Sequence, residues 1–399
     1  MNRSVALRGG AIALILVVGF VAGIYVDQAY PEYVPYFGHR SVSKIDLTQV
    51  QQAARLIQAD YVDTNVNGSK LSQGSVQGLV SSLGDPYTLY FDPTQYQRLL
   101  EGYTGRYTGI GIYLSFNTSS YPTITGTVPG SPAAEAGLLP GDQIVKVGDK
   151  DIKGITGDQA TSLIQGPAGS KVTLTISRGA DTMTFTITRA QIDVPTVRSA
   201  TIANGVLYVR IYSFGAQTST EFSKALSGGL NGASGMVLDL RGDGGGFISA
   251  ADAVITQFVT SGETFETRGR SGTDRHEVGS QHAAPKVPLV VLVDANSASA
   301  SEIVAGSLQV HGRAKLVGTK TFGKGSVQQD FVLSDGSDLH LTVERWYLPN
   351  GVTIDHKGLT PDVTVTLPAA TDAYDVSQPS LGYGKDTQLN AALSVLAGG

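Results

Sequence analysis

The stretch Val287-Pro-Leu-Val-Val-Leu-Val-Asp294-Ala-Asn-Ser-Ala-Ser299-Ala-Ser-Glu302 sets the architecture of the C-terminal half of the chain. Its first part is a continuous apolar run of strand length, and an amphipathic stretch from Glu302 to Val310 follows it. This order predicts a buried strand that turns into a helix, with Ser299 at the helix N-terminus. Unpaired backbone N–H groups and the helix dipole favour negative charge there, as a serine attacking a carbonyl requires.

A similar strand–turn–helix unit precedes this one. It consists of the apolar strand Gly235–Leu240, the glycine-rich turn Arg241–Gly246 and the helix Ile248–Val259. Repeated units of this kind predict a parallel sheet, with reactive loops at the carboxyl ends of its strands. We therefore predict an oxyanion hole formed by the backbone N–H of Gly244 or Gly245 together with that of Ala300.

A third segment, Gly318-Thr-Lys-Thr-Phe-Gly-Lys324-Gly-Ser-Val-Gln328, supplies a candidate base. A lysine accepts a proton from serine near neutral pH only if desolvation lowers its pKa from about 10.4. We expect Phe322 and Val327 to help exclude water from Lys324.

Together these segments resemble the C-terminal processing peptidases, serine proteases that carry a PDZ domain and recognise the C-terminal tails of their substrates. The resemblance covers roughly residue 46 to the end. Further motifs of the family occur in the family's order, namely Leu83-Gly-Asp-Pro-Tyr-Thr-Leu-Tyr-Phe-Asp92, Gly109-Ile-Gly-Ile112, Leu240-Arg-Gly-Asp-Gly-Gly-Gly246, Arg345-Trp-Tyr-Leu-Pro-Asn-Gly351 and Gly358-Leu-Thr-Pro-Asp362.

The resemblance implies a serine–lysine dyad: Ser299 as nucleophile, Lys324 as base and Gln328 as the residue that orients the lysine. Other candidates for the first two roles are Ser297 or Ser301 as nucleophile and Lys320 as base, and Glu302 fits a capping role. A Ser-His-Asp triad using Asp355 and His356 is disfavoured because adjacent side chains point apart in extended structure. The family commonly has Asn-Pro where this chain has Asp243-Gly244.

Residues 103–190 alternate short β-like runs with turns rich in glycine and proline. This order resembles a PDZ domain, with Gly109, Ile110, Gly111 and Ile112 as its peptide-binding loop. Glycine lets consecutive N–H groups approach a terminal carboxylate, and the strand that follows pairs with the peptide by β-augmentation. The resemblance also implies that tail binding moves the PDZ domain and activates the site.

The N-terminus carries Arg3 and Arg8 before the uncharged run Ala11–Val26. This pattern is a signal peptide or a signal anchor, and we favour an uncleaved anchor because tyrosines follow and no small-x-small cleavage motif does. The basic end would stay in the cytoplasm, which puts the catalytic domain outside it, in the periplasm or at the external surface. A cleaved segment would make the protein secreted.

The predicted fold class is multidomain α+β, with a PDZ domain inserted before an α/β core of the crotonase/Clp-protease type and helical segments at both ends. The helix at 386–396 either joins the N-terminal helices in a homodimer contact or caps the monomer. The predicted segments are an anchor at 1–30, a tether at 31–46, a helical region at 47–102, the PDZ domain at 103–190, the protease core at 191–370, and a C-terminal linker and helix at 371–399.

Composition narrows the functional classes. The chain of 399 residues has a formal net charge of −5 and no basic cluster, so nucleic-acid binding has no electrostatic support. It has no cysteine, which excludes disulfides and thiolate chemistry. The sequence predicts no metal and no cofactor, and its partners would be proteins with free C-terminal tails. The rival from another class is a non-catalytic extracytoplasmic PDZ adaptor, which would lack Ser299, Lys324 or Gln328.

Overall fold

The computed structural model describes residues 45–116, 119–284, 286–369, 372–376 and 382–398. In this part of the chain, no helix is both long and apolar enough to cross a bilayer. The predicted anchor at residues 1–30 lies outside the described residues.

The chain divides into two compact units, one ending at Ser75 and one beginning at Val76. The first contains helix α1 (Thr48–Asp60), all of whose residues are exposed. Helix α2 (Gly68–Ser81) begins in this unit and ends in the second.

In the second unit, strand β1 (Leu89–Phe91) and helix α3 (Pro93–Thr104) lead into the first β-rich domain. Helix α3 has a complete capping box, because the Asp92 carboxylate accepts the backbone N–H of Gln95 while the Gln95 side chain accepts that of Asp92. The helices predicted between Leu47 and about Leu100 are therefore present, and the short strand β1 is an element that the helical pattern did not predict.

A six-stranded sheet forms the body of the predicted PDZ domain, with strand order β3-β4-β5-β7-β8 and β6 beside β5. Strand β3 lies at its edge, and the pair β2–β9 joins the domain to the rest of the chain. The elements are β2 (Arg106–Gly109), β3 (Ile112–Ser115), β4 (Thr123–Thr127), helix α4 (Pro132–Glu135), β5 (Gln143–Val147), β6 (Lys150–Asp151), helix α5 (Gly157–Ile164), β7 (Lys171–Arg178), β8 (Asp181–Thr188) and β9 (Ala190–Asp193).

The core is built on a second six-stranded sheet of order β10-β11-β12-β15-β16-β19, in which every pair except β10–β11 is parallel. The predicted parallel sheet is confirmed. Its elements are β10 (Val197–Ile202), a 3-10 turn (Ala203–Gly205), β11 (Val206–Ile211), helix α6 (Thr218–Gly229), β12 (Gly235–Asp239), helix α7 (Ile248–Thr256), β15 (Leu289–Val293), helix α8 (Ala300–Val310), β16 (Lys315–Gly318), β19 (Val363–Thr364) and helix α9 (Thr387–Gly398).

Helices cover both faces of this sheet, which explains why β12 and β15 read as continuous apolar runs. Alternate residues such as Leu238 and Val291 pack with helices α6, α7 and α8, while Val237 and Val290 pack with helix α9. Leu389 and Ala392 of α9 are fully buried. Helix α9 therefore packs against its own core, and its part in a homodimer contact stays a prediction.

An antiparallel sheet adjoins the core and brings distant segments together. Its order is β1-β18-β13-β14, and β17 pairs with β18 to form a hairpin. The strands are β13 (Glu263–Gly269), β14 (Gly272–Glu277), β17 (Ser326–Val332) and β18 (Asp338–Tyr347). Strand β1 thus lies in the same sheet as the strand that carries Gln328.

Candidate active site

Ser299 lies at the turn between strand β15 and helix α8, as its sequence context predicts. Its φ of 55° and ψ of −117° are unusual for a non-glycine residue, so this turn is strained. The neighbouring hydroxyls are occupied: Ser297 Oγ donates to Leu240 O at 2.8 Å and Ser301 Oγ donates to Asp243 O at 3.0 Å. Both are fully buried, whereas Ser299 keeps 8% of its surface exposed. Of the three serines, Ser299 is the one that keeps some solvent exposure.

The glycine-rich turn after β12 is fastened to the Ser299 turn by hydrogen bonds. Asp294 Oδ1 accepts the N–H of Gly242 at 3.0 Å, and the N–H of Ala298 donates to Asp243 O at 3.0 Å. Because β12 and β15 are parallel neighbours, their carboxyl ends meet at one edge of the sheet. The two turns therefore form one rigid unit.

Gly245 lies directly against the Ser299 turn. A Cβ at this position would lie 2.7 Å from Ala298 O and 2.9 Å from Ala300 N, so only glycine fits. The N–H of Gly245 donates to Asp243 Oδ1 at 2.8 Å, so one of the two glycines predicted as alternative partners of Ala300 in the oxyanion hole is already engaged. Gly244 is exposed, and no hydrogen bond from its N–H is found among the described residues.

Asp243 is fully buried in this turn, and its Oδ2 has no hydrogen-bond partner in the described structure. Burial raises its pKa to about 7, although the N–H of Gly245 opposes the shift. The carboxyl group therefore changes its charge near neutral pH, immediately behind the Ser299 turn.

Arg241 anchors the start of the same turn. It is 4% exposed, and its Nη2 lies 2.6 Å from Asp239 Oδ2 and 2.9 Å from Asp386 Oδ2. Asp386 also accepts the N–H of Leu389 in the first turn of helix α9. A buried charge network thus joins the end of β12 to the C-terminal helix, and replacing one member would leave the others unpaired.

Glu302 is the structural centre of the site. Its carboxylate is fully buried and accepts four hydrogen bonds. Oε2 accepts the N–H of Ser299 and the N–H of Lys324, each at 2.9 Å. Oε1 accepts the N–H of Gly323 at 2.7 Å and the Thr321 hydroxyl. One side chain therefore holds the backbones of both predicted dyad residues.

Lys324 lies in a loop, and its backbone carbonyl is held by Trp346. The indole Nε1–H of Trp346 donates to Lys324 O at 2.9 Å. Its Nζ lies 5.1 Å from the centroid of the Tyr87 ring. Burial lowers the pKa of Lys324, and the negative charge of Asp85 partly opposes this shift. The direction is the one that a general base requires. Lys320, the other candidate base, is exposed.

The Gln328 side chain is hydrogen-bonded within the β17–β18 hairpin. Its Nε2 donates to Ser326 Oγ at 2.9 Å and to Thr342 Oγ1 at 3.0 Å. In the described residues, no hydrogen bond joins the side chains of Ser299, Lys324 and Gln328 to one another. The structure therefore links the backbones of Ser299 and Lys324 through Glu302, while the side chains of the two predicted dyad residues make no hydrogen bond to each other.

Two further expectations need correction. Phe322 is 54% exposed and so does not shield Lys324, whereas Val327 packs against the core. His356 has a φ of 56°, which turns its ring to within 3.7 Å of Asp355, so the argument that these side chains point apart was wrong. The His356 side chain is nevertheless 77% exposed, and Asp355 Oδ1 accepts the N–H of Gly325.

The predicted peptide-binding loop precedes edge strand β3. Gly111 has a φ of 82°, and a Cβ there would lie 2.3 Å from Ser131 Cβ, so glycine is required. The carbonyls of Ile110 and Gly111 accept the N–H groups of Ala133 and Val128, which fixes the loop to the domain. An extended peptide has an open strand edge to pair with beside this loop.

Comparisons with known sequences agree with this geometry. The family "Peptidase family S41" matches residues 205–365, "PDZ domain" matches residues 123–178, and "Activating protease CtpB N-terminal domain" matches residues 36–94. A carboxy-terminal-processing protease of Bartonella bacilliformis is 33% identical over 378 residues, covering 90% of this chain and 85% of that protein. The chain belongs to the carboxy-terminal processing proteases of peptidase family S41. It is a serine-type peptidase with a PDZ domain.

Other sequences and solved structures are also similar to this chain. A carboxyl-terminal-processing protease of Synechocystis is 34% identical over 365 residues, covering 90% of this chain and 84% of that protein. Among solved structures, the photosystem II D1 C-terminal processing protease is 29% identical with a TM-score of 0.50, covering 81% of this chain and 89% of that one. A putative S41 protease from Bacteroides fragilis has a TM-score of 0.55 at 20% identity, covers 90% of this chain and 99% of that one, and shares the fold.

Several residues of this protease site were not recognised as a set from the sequence. Asp85 and Tyr87 belong to the Leu83–Asp92 motif, but only the tertiary structure brings them beside Lys324. Thr321 contacts Glu302 and also accepts the N–H of Leu359 at 2.7 Å. The strand–turn–helix pattern of the sequence placed Glu302 at the start of a helix. It gave no indication that the Glu302 carboxylate would bond to the loop that carries Lys324.

We expect Glu302→Gln to lower kcat about 100-fold, because the amide cannot accept all four hydrogen bonds and small displacements of reacting groups cost rates of this size. Steady-state kinetics on an unfolded protein substrate measure this, and Trp346 fluorescence checks the fold. Gln309→Ala, on the outer part of the same helix, is the matched control and should keep kcat. An unchanged kcat in Glu302→Gln would show that these bonds do not position the dyad.

We expect Asp243→Asn to become increasingly stabilising as pH rises. Because the folded-state pKa of Asp243 is raised from 3.8 to about 7, the native enzyme loses stability between about pH 4 and pH 7, by about 4 kcal/mol in all. Asparagine cannot ionise and removes that loss. Urea unfolding followed by Trp346 fluorescence at pH 4 and pH 8 measures the difference, with the exposed Glu277→Gln as control. An equal effect of Asp243→Asn at both pH values would contradict the buried ionisation.

Proposed function

We propose that this enzyme is an endopeptidase that binds the free C-terminal tail of a protein substrate through its PDZ domain and cleaves the chain with a Ser299–Lys324 dyad. The observation that carries the proposal is the Glu302 carboxylate, which accepts both the Ser299 and the Lys324 backbone N–H at 2.9 Å. A structural capping residue would need only the first of these bonds.

In the proposed reaction, Ser299 Oγ attacks the scissile carbonyl while Lys324 Nζ accepts the hydroxyl proton. The N–H groups of Ala300 and Gly244 stabilise the oxyanion, and Gly244 is preferred over Gly245 because the latter already donates to Asp243. Collapse breaks the C–N bond, and the Lys324 ammonium returns its proton to the leaving amine. Water, deprotonated by Lys324, then attacks the ester carbonyl. The C–O bond to Ser299 breaks, and the Lys324 ammonium returns its proton to Ser299 Oγ.

Substrate engagement would complete the site. Ser299, Lys324 and Gln328 share no side-chain hydrogen bond in the described structure, and Gln328 is instead bonded to Ser326 and Thr342. We propose that tail binding along edge strand β3, with its terminal carboxylate at Gly109, Ile110, Gly111 and Ile112, is coupled to closure of the Ser299–Lys324 contact and to reorientation of Gln328 toward the lysine.

The proposed cellular setting rests on sequence. Residues 1–30 would anchor the protein in the cell membrane with the protease outside the cytoplasm, or would direct its secretion if cleaved. A homodimer is proposed through helix α1, whose apolar residues Val50, Leu56 and Ile57 are exposed.

Cleavage of an unfolded protein with an apolar C-terminus tests the function, using the full chain purified in detergent. Ser299→Ala and Lys324→Ala should each lower kcat at least about 1,000-fold, whereas Lys320→Ala should not. Amidating the substrate C-terminus should lower kcat/KM about 10- to 100-fold, because charge-assisted hydrogen bonds to the carboxylate are lost. Full activity in Ser299→Ala would remove Ser299 as nucleophile, and indifference to amidation would remove tail recognition.

The pH dependence of kcat/KM tests the role of Lys324 separately. Because the neutral amine is the base and burial lowers its pKa, activity should rise with pH through a midpoint below 10.5. Asp85→Asn removes a charge that raises the pKa of Lys324, so the midpoint should move to lower pH. Glu277→Gln, exposed on strand β14, should leave it in place. A midpoint that stays fixed or rises in Asp85→Asn would exclude Lys324 as the titrating group.

A further inference from the structure

A second cluster of titratable side chains lies on the β17–β18 hairpin and takes no part in the serine chemistry. Asp330 on β17 is the direct cross-strand partner of His340 on β18. Asp338 lies two residues before His340, so all three side chains lie on the same face of the hairpin. One ligand atom from each residue lies within 4.8 Å of the other two.

Asp338 is the member that needs an explanation. Its side chain is fully buried, and neither carboxylate oxygen has a partner at full hydrogen-bond geometry in the described structure, although the backbone N–H groups of Phe331 and Leu339 approach it. Burial raises its pKa, the charge of Asp330 raises it further, and His340 and the nearby backbone N–H groups of Phe331 and Leu339 oppose the change. Buried polar groups nearly always have a hydrogen-bond or ionic partner. Two carboxylate oxygens without one at proper geometry therefore indicate that a partner is missing.

Among the described residues, no lysine or arginine fills that role. Asp330 and His340 are joined by a contact of 2.5 Å between Oδ1 and Nδ1, and within the described residues neither aspartate forms an ion pair with lysine or arginine. Neighbouring elements contribute aromatic rings instead. Phe91 of strand β1 lies 5.9 Å from the His340 ring between centroids. Tyr96 and Tyr103 of helix α3 have pKa values raised first by burial and then by the charges of Asp330 and Asp338.

We propose that Asp330, Asp338 and His340 bind a divalent cation of the zinc class. Two carboxylates and one imidazole form a ligand set that suits Zn²⁺, and its charge would neutralise both aspartates and give Asp338 the partner it lacks. Ligand distances of about 2.0–2.2 Å require separations near 3.4 Å between ligand atoms. The ion would therefore replace the direct contact between Asp330 Oδ1 and His340 Nδ1, which move apart by about 1 Å, while Asp338 closes on the ion from within 4.8 Å. Water would complete the coordination.

We expect the ion to have a structural role, because the same hairpin carries Gln328. Gln328 lies two residues before Asp330 on β17, and its partner Thr342 lies two residues after His340 on β18. The N–H of Thr342 also donates to Thr88 Oγ1 at 3.1 Å, next to strand β1. A cation that links β17 to β18 would therefore stiffen the strand pair that carries Gln328. This inference does not depend on the proposed tail recognition or dyad.

Isothermal titration of the full chain with ZnCl₂, after treatment with a chelator and its removal, tests the site. We expect one Zn²⁺ per chain with a micromolar or lower Kd, accompanied by a rise in Tm. Asp338→Asn and His340→Gln should each weaken binding at least 10-fold. His276→Gln is the matched control, because His276 and Asp274 form a more exposed pair 3.9 Å apart, and it should bind Zn²⁺ like the native chain.

Zinc-edge anomalous scattering from crystals soaked in ZnCl₂ supplies a test that needs no variant. A peak in contact with Asp338 and His340 is the expected result. Absence of binding, equal binding in Asp338→Asn, or a peak only at other histidines would overturn the proposal. The same holds if Asp338→Asn raises Tm while ZnCl₂ leaves the Tm of the native chain unchanged, because Asp338 would then be a neutral buried acid.

Discussion

The buried carboxylate of Glu302 is the constraint on which the active site depends. A charge buried this deeply is stable only when its oxygens are fully hydrogen-bonded, and here four donors from two chain segments satisfy it. Because two of those donors are the backbone N–H groups of Ser299 and Lys324, the requirement to solvate one carboxylate also holds together the two residues proposed as nucleophile and base. The two loops stay together although the Ser299 and Lys324 side chains share no hydrogen bond in the described structure.

Contacts of the glycine-rich turn hold the Ser299 turn in place. The parallel pairing of β12 and β15 places the glycine-rich turn beside the Ser299 turn, and Gly245 allows a contact that any Cβ would block. Arg241 ties the same turn to the C-terminal helix through Asp386. Stability and catalytic geometry therefore share the same residues. Asp243 is buried behind the Ser299 turn, where the family commonly has asparagine, and its raised pKa makes that shared region sensitive to pH.

The sequence predicted those elements whose structure depends only on neighbouring residues. The apolar run Leu289–Val293, the helix after Ser299 and the glycine turn were all predictable because strand and helix periodicity and glycine sterics act over a few residues. The neighbours of Lys324 were not predictable from spacing, since Asp85 and Tyr87 reach it only through the pairing of β1 with β18. The same limit applied to Asp355 and His356, whose proximity depends on one positive φ, and to Gly245, whose N–H is taken by Asp243.

The most direct test of the serine–lysine account is mass spectrometry of the enzyme quenched with acid during turnover of a peptide substrate. Digestion and fragmentation would locate any acyl group within the segment from Asn296 to Glu302. The account predicts an ester on Ser299 that carries the N-terminal part of the substrate and disappears as substrate is exhausted. An ester on Ser297 or Ser301, or turnover under these conditions with no acylated serine at all, would contradict it.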